Sequence, residues 1–442
     1  LSGRRFWSTT GVAAVTGALL LTSAPTASAD YVRDQQWVLD VFAMKDTWAE
    51  TQGEGVTVAV VDSGVDATHP DLAGQVLAGK DFTGGGNAHE DKMGHGTVMA
   101  SIIAGHGHGP GNASGMMGLA PKAKILPLRA IRTEKDPMHD ETWAAAVRYA
   151  VDQGAKVINM SFGNDGGKTL SDGRAAIAYA QAHDVVVVAA AGNDGSIAVD
   201  EPAALPGVVA VGAVDKSGNR WDGSNTGKGL TLMAPGVEIL GADTTRSQQY
   251  SLSRGTSDAA AFVSATAALV RSKYPELTAG QVINRLVKSA SFLGHKGLKA
   301  PDEEYGYGII RPRQAVTMDI PVGPKKNPLG QLTVATPPSS EASEKTAPAT
   351  QTSFRSLVVL GGGIAAVMVV GVIAWVVTRS RRSAGSGPGS GAGTPPHSYG
   401  YPPHPSAGYQ YYPNTPPQQG YTPGQAPQHP NPYAQRPPHQ GQ

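Results

Sequence analysis

Four residues of this chain could together cleave an acyl bond: Asp62 in VVDSGVD, His95 in GHGT, Asn193 in AAAGND and Ser257 in GTSDAA. A serine hydroxyl is a weak nucleophile at its free pKa, so a histidine must take its proton and later deliver it to the leaving amine. An aspartate can fix the imidazole tautomer and stabilise the imidazolium that forms. An asparagine amide, together with the serine's own backbone N–H, can donate to the developing oxyanion, a contribution of about 3 kcal/mol. Taken alone, GTS reads as the cap of a core helix. The other three motifs turn it into a nucleophile.

All four lie at the ends of elements. Residues 56–62, 124–131, 156–161, 185–192, 208–214 and 230–235 read as short, largely apolar strands. Residues 94–105, 141–154 and 171–184 read as helices between them, and 279–290 as a further helix near the end. Continuous apolar strands alternating with helices predict a mostly parallel sheet covered on both faces. In such sheets ligands bind at the C-terminal ends of the strands, where the four residues would converge. Residues 255–270, GTSDAAAFVSATAALV, predict a helix buried on all sides with Ser257 at its start, where free N–H groups favour negative charge.

The composition changes along the 442 residues, and only the middle is globular in character. A formal net charge of +1 gives no reason to expect nucleic acid as a partner, and the absence of cysteine excludes disulfide and thiolate chemistry. Residues 1–29 carry Arg4 and Arg5, an apolar stretch and Ala27-Ser28-Ala29, which specify a secretory signal peptide on the general route. Residues 30–52 hold Trp37, Leu39, Val41, Phe42 and Trp48, enough apolar area to dock this segment on the domain of residues 53–321. Residues 322–356 read as a Pro/Thr/Ser-rich linker. Residues 357–378 form an apolar run of bilayer-spanning length, and Arg379, Arg381 and Arg382 behind it predict a cytoplasmic end. Residues 379–442, rich in Gly, Pro and Tyr, read as a disordered cytoplasmic tail. The expected product is an extracytoplasmic domain on a single-pass anchor in the cell membrane.

In the order Asp, His, Asn, Ser, each with its flanking glycines, the four motifs resemble the subtilisin-type (S8) serine endopeptidases across residues 53–315. The resemblance implies a subtilisin-like three-layer α/β fold with a mostly parallel central sheet, acting on protein or peptide substrates without a cofactor. By that likeness Asp62, His95 and Ser257 form the triad and Asn193 is the oxyanion donor. NMSFG at 159–163, with Ser161, Phe162 and Gly163, and the stretch 129–132 resemble the two extended segments that flank a bound peptide as added strands. Leader, DQQW-containing segment, protease domain, linker and single span are together similar to the mycosins, membrane-anchored proteases associated with type VII secretion in actinobacteria. That likeness implies a partnership with the secretion membrane complex, either as a processing enzyme or as a scaffold in which hydrolysis is secondary. A third reading puts the function in the cytoplasmic tail.

Two residues depart from the family pattern. Ala261 replaces a common proline and suits a helix interior. Asp258 replaces a bulky apolar residue beside Ser257, and its charge should favour an imidazolium at His95 and move the activity optimum to higher pH. Asp66 and His69 are expected in a surface loop, and His106 and His108 in a flexible glycine loop rather than a metal site. Asn112-Ala113-Ser114 is a glycosylation acceptor only in a eukaryotic secretory route. No Asp-rich calcium loop is recognisable, so no metal is expected. The charged insertion at 132–141 is expected to narrow the cleft entrance, and residues 30–50 are too short for a folding pro-domain.

Overall fold

The computed structural model describes residues 27–332 except 134–138 and 165–166. The central sheet starts with β1 (Thr57–Asp62) and β2 (Lys80–Asp81). After a hairpin of β3 (His106–His108) and β4 (Ser114–Met117) it continues with β5 (Lys124–Arg129), β6 (Val157–Met160), β7 (Val186–Ala190), β8 (Val209–Val214) and β9 (Leu230–Pro235). Its seven strands are all parallel, in the spatial order β2-β5-β1-β6-β7-β8-β9. The chain leaves β1 towards β2 and β5, then crosses back beyond β1 to β6. That reversal makes the C-terminal ends of β1 and β6 a topological switch point, where a crevice opens. A second hairpin, β10 (Val237–Ala242) and β11 (Tyr250–Arg254), leads into the helix that carries Ser257.

Helices α1 (Ala27–Asp34), α2 (Trp37–Val41) and α3 (Met44–Glu50) lie against the domain through buried Val38, Phe42 and Met44. The Trp48 indole donates to the Leu119 carbonyl at 2.8 Å. α4 (His95–Ala104), α5 (Asp140–Asp152), α6 (Ser171–Ala182), α7 (Thr256–Lys273), α8 (Ala279–Ser289) and α9 (Pro312–Thr317) follow. Strand alternation sorts the core into two layers. Val58 and Val60 of β1 pack with α4, α7 and α8, while Ala59 and Val61 pack with α5 and α6. α7 is buried from Thr256 to Arg271, and the small side chains of Ala259, Ala260, Ala261, Ala265, Ala267 and Ala268 let it run through the interior close to the sheet.

The C-terminal boundary differs from the compositional reading. Residues 322–332, assigned to the linker, lie on the domain: Asn327 donates to the Gly207 carbonyl at 2.8 Å and the Leu332 N–H to Gln181 Oε1 at 2.9 Å. These bonds pair backbone groups across the segment and the domain, which a count of apolar residues cannot register. The expected span at 357–378, the tail and most of the leader lie outside the described residues. Among the described residues no helix is long and apolar enough to cross a membrane.

Candidate active site

β1 delivers Asp62 to the crevice as a fully buried carboxylate. Its Oδ1 accepts the Ser63 N–H at 2.7 Å and faces His95 Nδ1 at 2.8 Å. Oδ2 has no hydrogen-bond partner among the described residues. His95 opens α4 behind Gly94, whose φ of 81° turns the chain sharply into the helix. Gly96 is required by proximity: a Cβ there would overlap the Gly64 carbonyl and stand 3.2 Å from Asp62 Cβ. This close approach brings the imidazole to the carboxylate.

The turn is held by Asp91, which the motif reading did not single out. Asp91 Oδ1 accepts the Gly94 N–H at 2.9 Å, and Oδ2 accepts the Thr97 N–H at 2.8 Å and the Thr97 hydroxyl at 2.6 Å. Ser63 ties this cap to the strand, its hydroxyl 2.8 Å from Asp91 Oδ1 and accepting the Gly96 N–H at 3.0 Å. An acidic residue a few positions ahead of a helix is a capping signal that the sequence does contain.

Ser257 stands in the first turn of α7, buried, with its hydroxyl donating to the Ser161 carbonyl at 3.1 Å. The Ser161 hydroxyl returns a bond to the Ser257 carbonyl at 3.1 Å and accepts from Asn159 Nδ2 at 2.9 Å. Asn159 Oδ1 accepts from Ser264, about two turns further along α7, at 2.9 Å. Asn193 follows β7, and its Oδ1 accepts both the Thr256 N–H at 2.8 Å and the Thr256 hydroxyl at 2.9 Å. With Oδ1 engaged, Nδ2 is the amide atom left to face the crevice. Thr256, Asn159 and Ser264 hold the start of α7, and nothing in their local sequence marks them, because each bonds across the fold.

The electrostatics are dominated by carboxylates. Burial by itself lowers the His95 pKa, but Asp62, and behind it Asp258 and Asp91, outweigh this and raise it to about 9. Asp258 is buried and accepts the Ser253 hydroxyl at 2.6 Å. Burial lifts its pKa to about 6, against the pull of Ser253 and His95.

The expected flanking segments behave unequally. Residues 161–164 run on from β6 without a ladder partner, but the Ser161 and Phe162 side chains turn inward, Phe162 lying 6.0 Å from Trp143 between ring centroids. Gly163 backs onto Asp200. Arg129 is buried beside Asp81 at 3.6 Å, so its side chain belongs to the β2–β5 edge and not to a substrate surface. His69 is buried rather than in a surface loop, its Nε2 3.0 Å from the Gln249 carbonyl. His106 and His108 form the β3–β4 hairpin, not a flexible loop, because buried Asp71 gathers it: its Oδ1 meets His108 Nδ1 at 2.5 Å and its Oδ2 accepts the Met116 N–H at 2.8 Å. Among the described residues no three metal-ligating side chains come together. A separate cavity of about 410 Å³, lined by Tyr274, Arg285 and Met318, lies at the far end of the 18-residue α7 from Ser257.

The sequence pattern of the subtilase family, peptidase S8, matches residues 53–308. Subtilisin DY from Bacillus licheniformis is 36% identical over 263 residues, covering 59% of this chain and 90% of its own length. The crystal structure of MycP1 with the N-terminal propeptide removed is 31% identical, with a TM-score of 0.57 over 66% of this chain and 99% of that one. The crystal structure of MycP1 from the ESX-1 type VII secretion system is 30% identical, with a TM-score of 0.58 over 67% of this chain and 88% of that one. The three-layer architecture is therefore subtilisin-like, and the chain belongs to the subtilase family of serine proteases.

Proposed function

We propose that the chain is a membrane-anchored, extracytoplasmic serine endopeptidase in which Asp62, His95 and Ser257 act as a triad and Asn193 as the oxyanion donor. The observation that carries this is the 2.8 Å contact of Asp62 Oδ1 with His95 Nδ1, supported by Asp258, in the first turn of α7, acting electrostatically on His95. In the cycle, the Ser257 hydroxyl leaves the Ser161 carbonyl and gives its proton to His95 Nε2 as Oγ attacks the substrate carbonyl. Asp62 stabilises the imidazolium, and Asn193 Nδ2 with the Ser257 N–H receives the oxyanion. His95 then returns the proton to the leaving amine, and water repeats the sequence to release the acyl group.

Residues 357–378 are the proposed anchor, on the strength of their apolar length and the arginines behind them. Association with a type VII secretion complex is supported by the MycP1 structure that comes from such a system. The test is covalent labelling of the full chain in detergent by a fluorophosphonate, which requires an activated serine and oxyanion donors together. Labelling of the parent and none of Ser257→Ala or His95→Ala is expected. A folded parent that resists the probe and cleaves no unstructured protein would overturn the assignment.

A further inference from the structure

One hydroxyl stands between two buried carboxylates. Ser63 Oγ lies 2.8 Å from Asp91 Oδ1 and 3.2 Å from Asp62 Oδ1, in geometry that allows it to donate to either. It has one proton, so it serves only one of them at a time. Its oxygen meanwhile accepts the Gly96 N–H at 3.0 Å, one residue beyond His95. Asp62 is 0%, Ser63 2% and Asp91 9% exposed, so bulk water does not compete for the hydroxyl.

The two carboxylates are unequally supplied with donors. Asp91 accepts the N–H groups of Met93 at 3.2 Å, Gly94 at 2.9 Å and Thr97 at 2.8 Å, and the Thr97 hydroxyl at 2.6 Å. Asp62 Oδ1 has the Ser63 N–H and His95, and Oδ2 has no hydrogen-bond partner among the described residues. The shorter distance gives the Ser63 proton to Asp91, the better supplied of the two. Asp62 therefore keeps its charge for His95. A hydroxyl turned to Asp62 would add a third donor to Oδ1 and loosen its hold on the imidazolium. Once Asp91 takes a proton from solvent, it becomes a donor to Ser63 Oγ, and the Ser63 proton turns to Asp62. Burial pushes the Asp91 pKa up against the Thr97 and Ser63 bonds, and the Asp62 charge adds to the rise. Other charges stand around this cluster: Asp258 acts on His95 from α7, Asp243 lies behind Gly94, and Glu90 and Lys92 pair with each other at the surface.

We infer that Ser63 and Asp91 are positioning residues of the triad: ionised Asp91 holds the Ser63 proton away from Asp62, which keeps the Asp62 charge for His95. This rests on the serine-endopeptidase reading above. The test uses the full chain in detergent, with active serines first counted by a fluorophosphonate, and follows the acid limb of kcat/KM for one peptide. Asp91→Asn should move the limb to lower pH. It removes a charge and, with its oxygen kept on Thr97, turns an amide N–H towards Ser63 Oγ. Ser63→Ala should leave the limb in place in the parent and raise it by about half a unit in the Asp91→Asn background, where the hydroxyl has turned to Asp62. Residues that only brace the fold would lower kcat without that dependence on background. Equal shifts by Ser63→Ala in both backgrounds, or none in either, overturn the inference alone. A folded parent that neither labels nor cleaves overturns the underlying reading instead. Should Asp91→Asn fail to fold, proton NMR of the His95 Nδ1–H in the parent and in Ser63→Ala decides. On acidification the parent resonance should show a step that Ser63→Ala lacks, beside the Asp258 step that both share. Identical titrations in the two proteins overturn the inference.

Discussion

Replacing Asp258 by asparagine should move the acid limb of the kcat/KM profile to lower pH by about one unit. For a general base, that limb reports the His95 pKa in the free enzyme, which stands at about 9. Asp62, in direct contact, is the main cause of the elevation, and Asp258 comes next. The Asp258 carboxylate is buried with the Ser253 hydroxyl on Oδ1, so water screens its charge poorly. For scale, any two unit charges about 10 Å apart at an effective dielectric constant of about 20 interact by roughly 1.7 kcal/mol, a little over one pKa unit, and that sets the size of the expected shift. Asparagine keeps an oxygen for Ser253 and removes only the charge.

The assay is kcat/KM for one peptide from pH 5 to 10 at constant ionic strength, for the parent, Asp258→Asn and Ser253→Ala. Ser253→Ala removes a bond that favours the Asp258 anion, so it should shift the limb in the same direction by less. Acid limbs that superimpose, or an asparagine variant displaced upward, would refute the electrostatic account. A fall in the plateau with no shift would assign Asp258 to packing alone.

Asn193→Ala should lower kcat about 100- to 1,000-fold with little change in KM, and Thr256→Val, which removes one of two bonds to Asn193 Oδ1, about 10-fold; steady-state kinetics separates the two. Because the folded His95 pKa is raised from 6.5 to about 9, its contribution is fully present below pH 6.5 and is lost as pH rises through 9, a change of about 3 kcal/mol. Urea unfolding across that window should show the decline, and Asp62→Asn should flatten it. Phe42→Ala, which removes a buried ring standing 6.3 Å edge-on to Phe262, should cost about 3 to 4 kcal/mol in the same measurement. That loss would mark residues 30–52 as part of the folded domain rather than as a removable inhibitor.

What the sequence disclosed about the site depended on how local each cause is. The placement of Asp62, His95, Asn193 and Ser257 at element ends was legible because each closes, follows or opens an element within two residues of a glycine, and such a junction is written in consecutive residues. Strands β1 and β5 to β9 were legible for a related reason, since burial on both faces demands unbroken apolar runs, whereas the short β2, β3 and β4 carry no such run. Thr256, Asn159 and Ser264 are not legible because their meaning lies in tertiary contacts, whereas Asp91 caps its own helix locally: Asn159 and Ser264 are 105 positions apart, and Asn193 and Thr256 are 63 apart. Polar side chains of this kind are ordinary in a loop and costly in a core unless paired. The fold pairs each of them around the first turns of α7. An all-alanine helix start would bury as well and would keep the N–H bond from residue 256, but it would lose the hydroxyl bond that doubles the hold on Asn193 Oδ1. Together the N–H and the hydroxyl of Thr256 fix Asn193 Oδ1, and with it the polarity of the pocket that the proposed nucleophile faces.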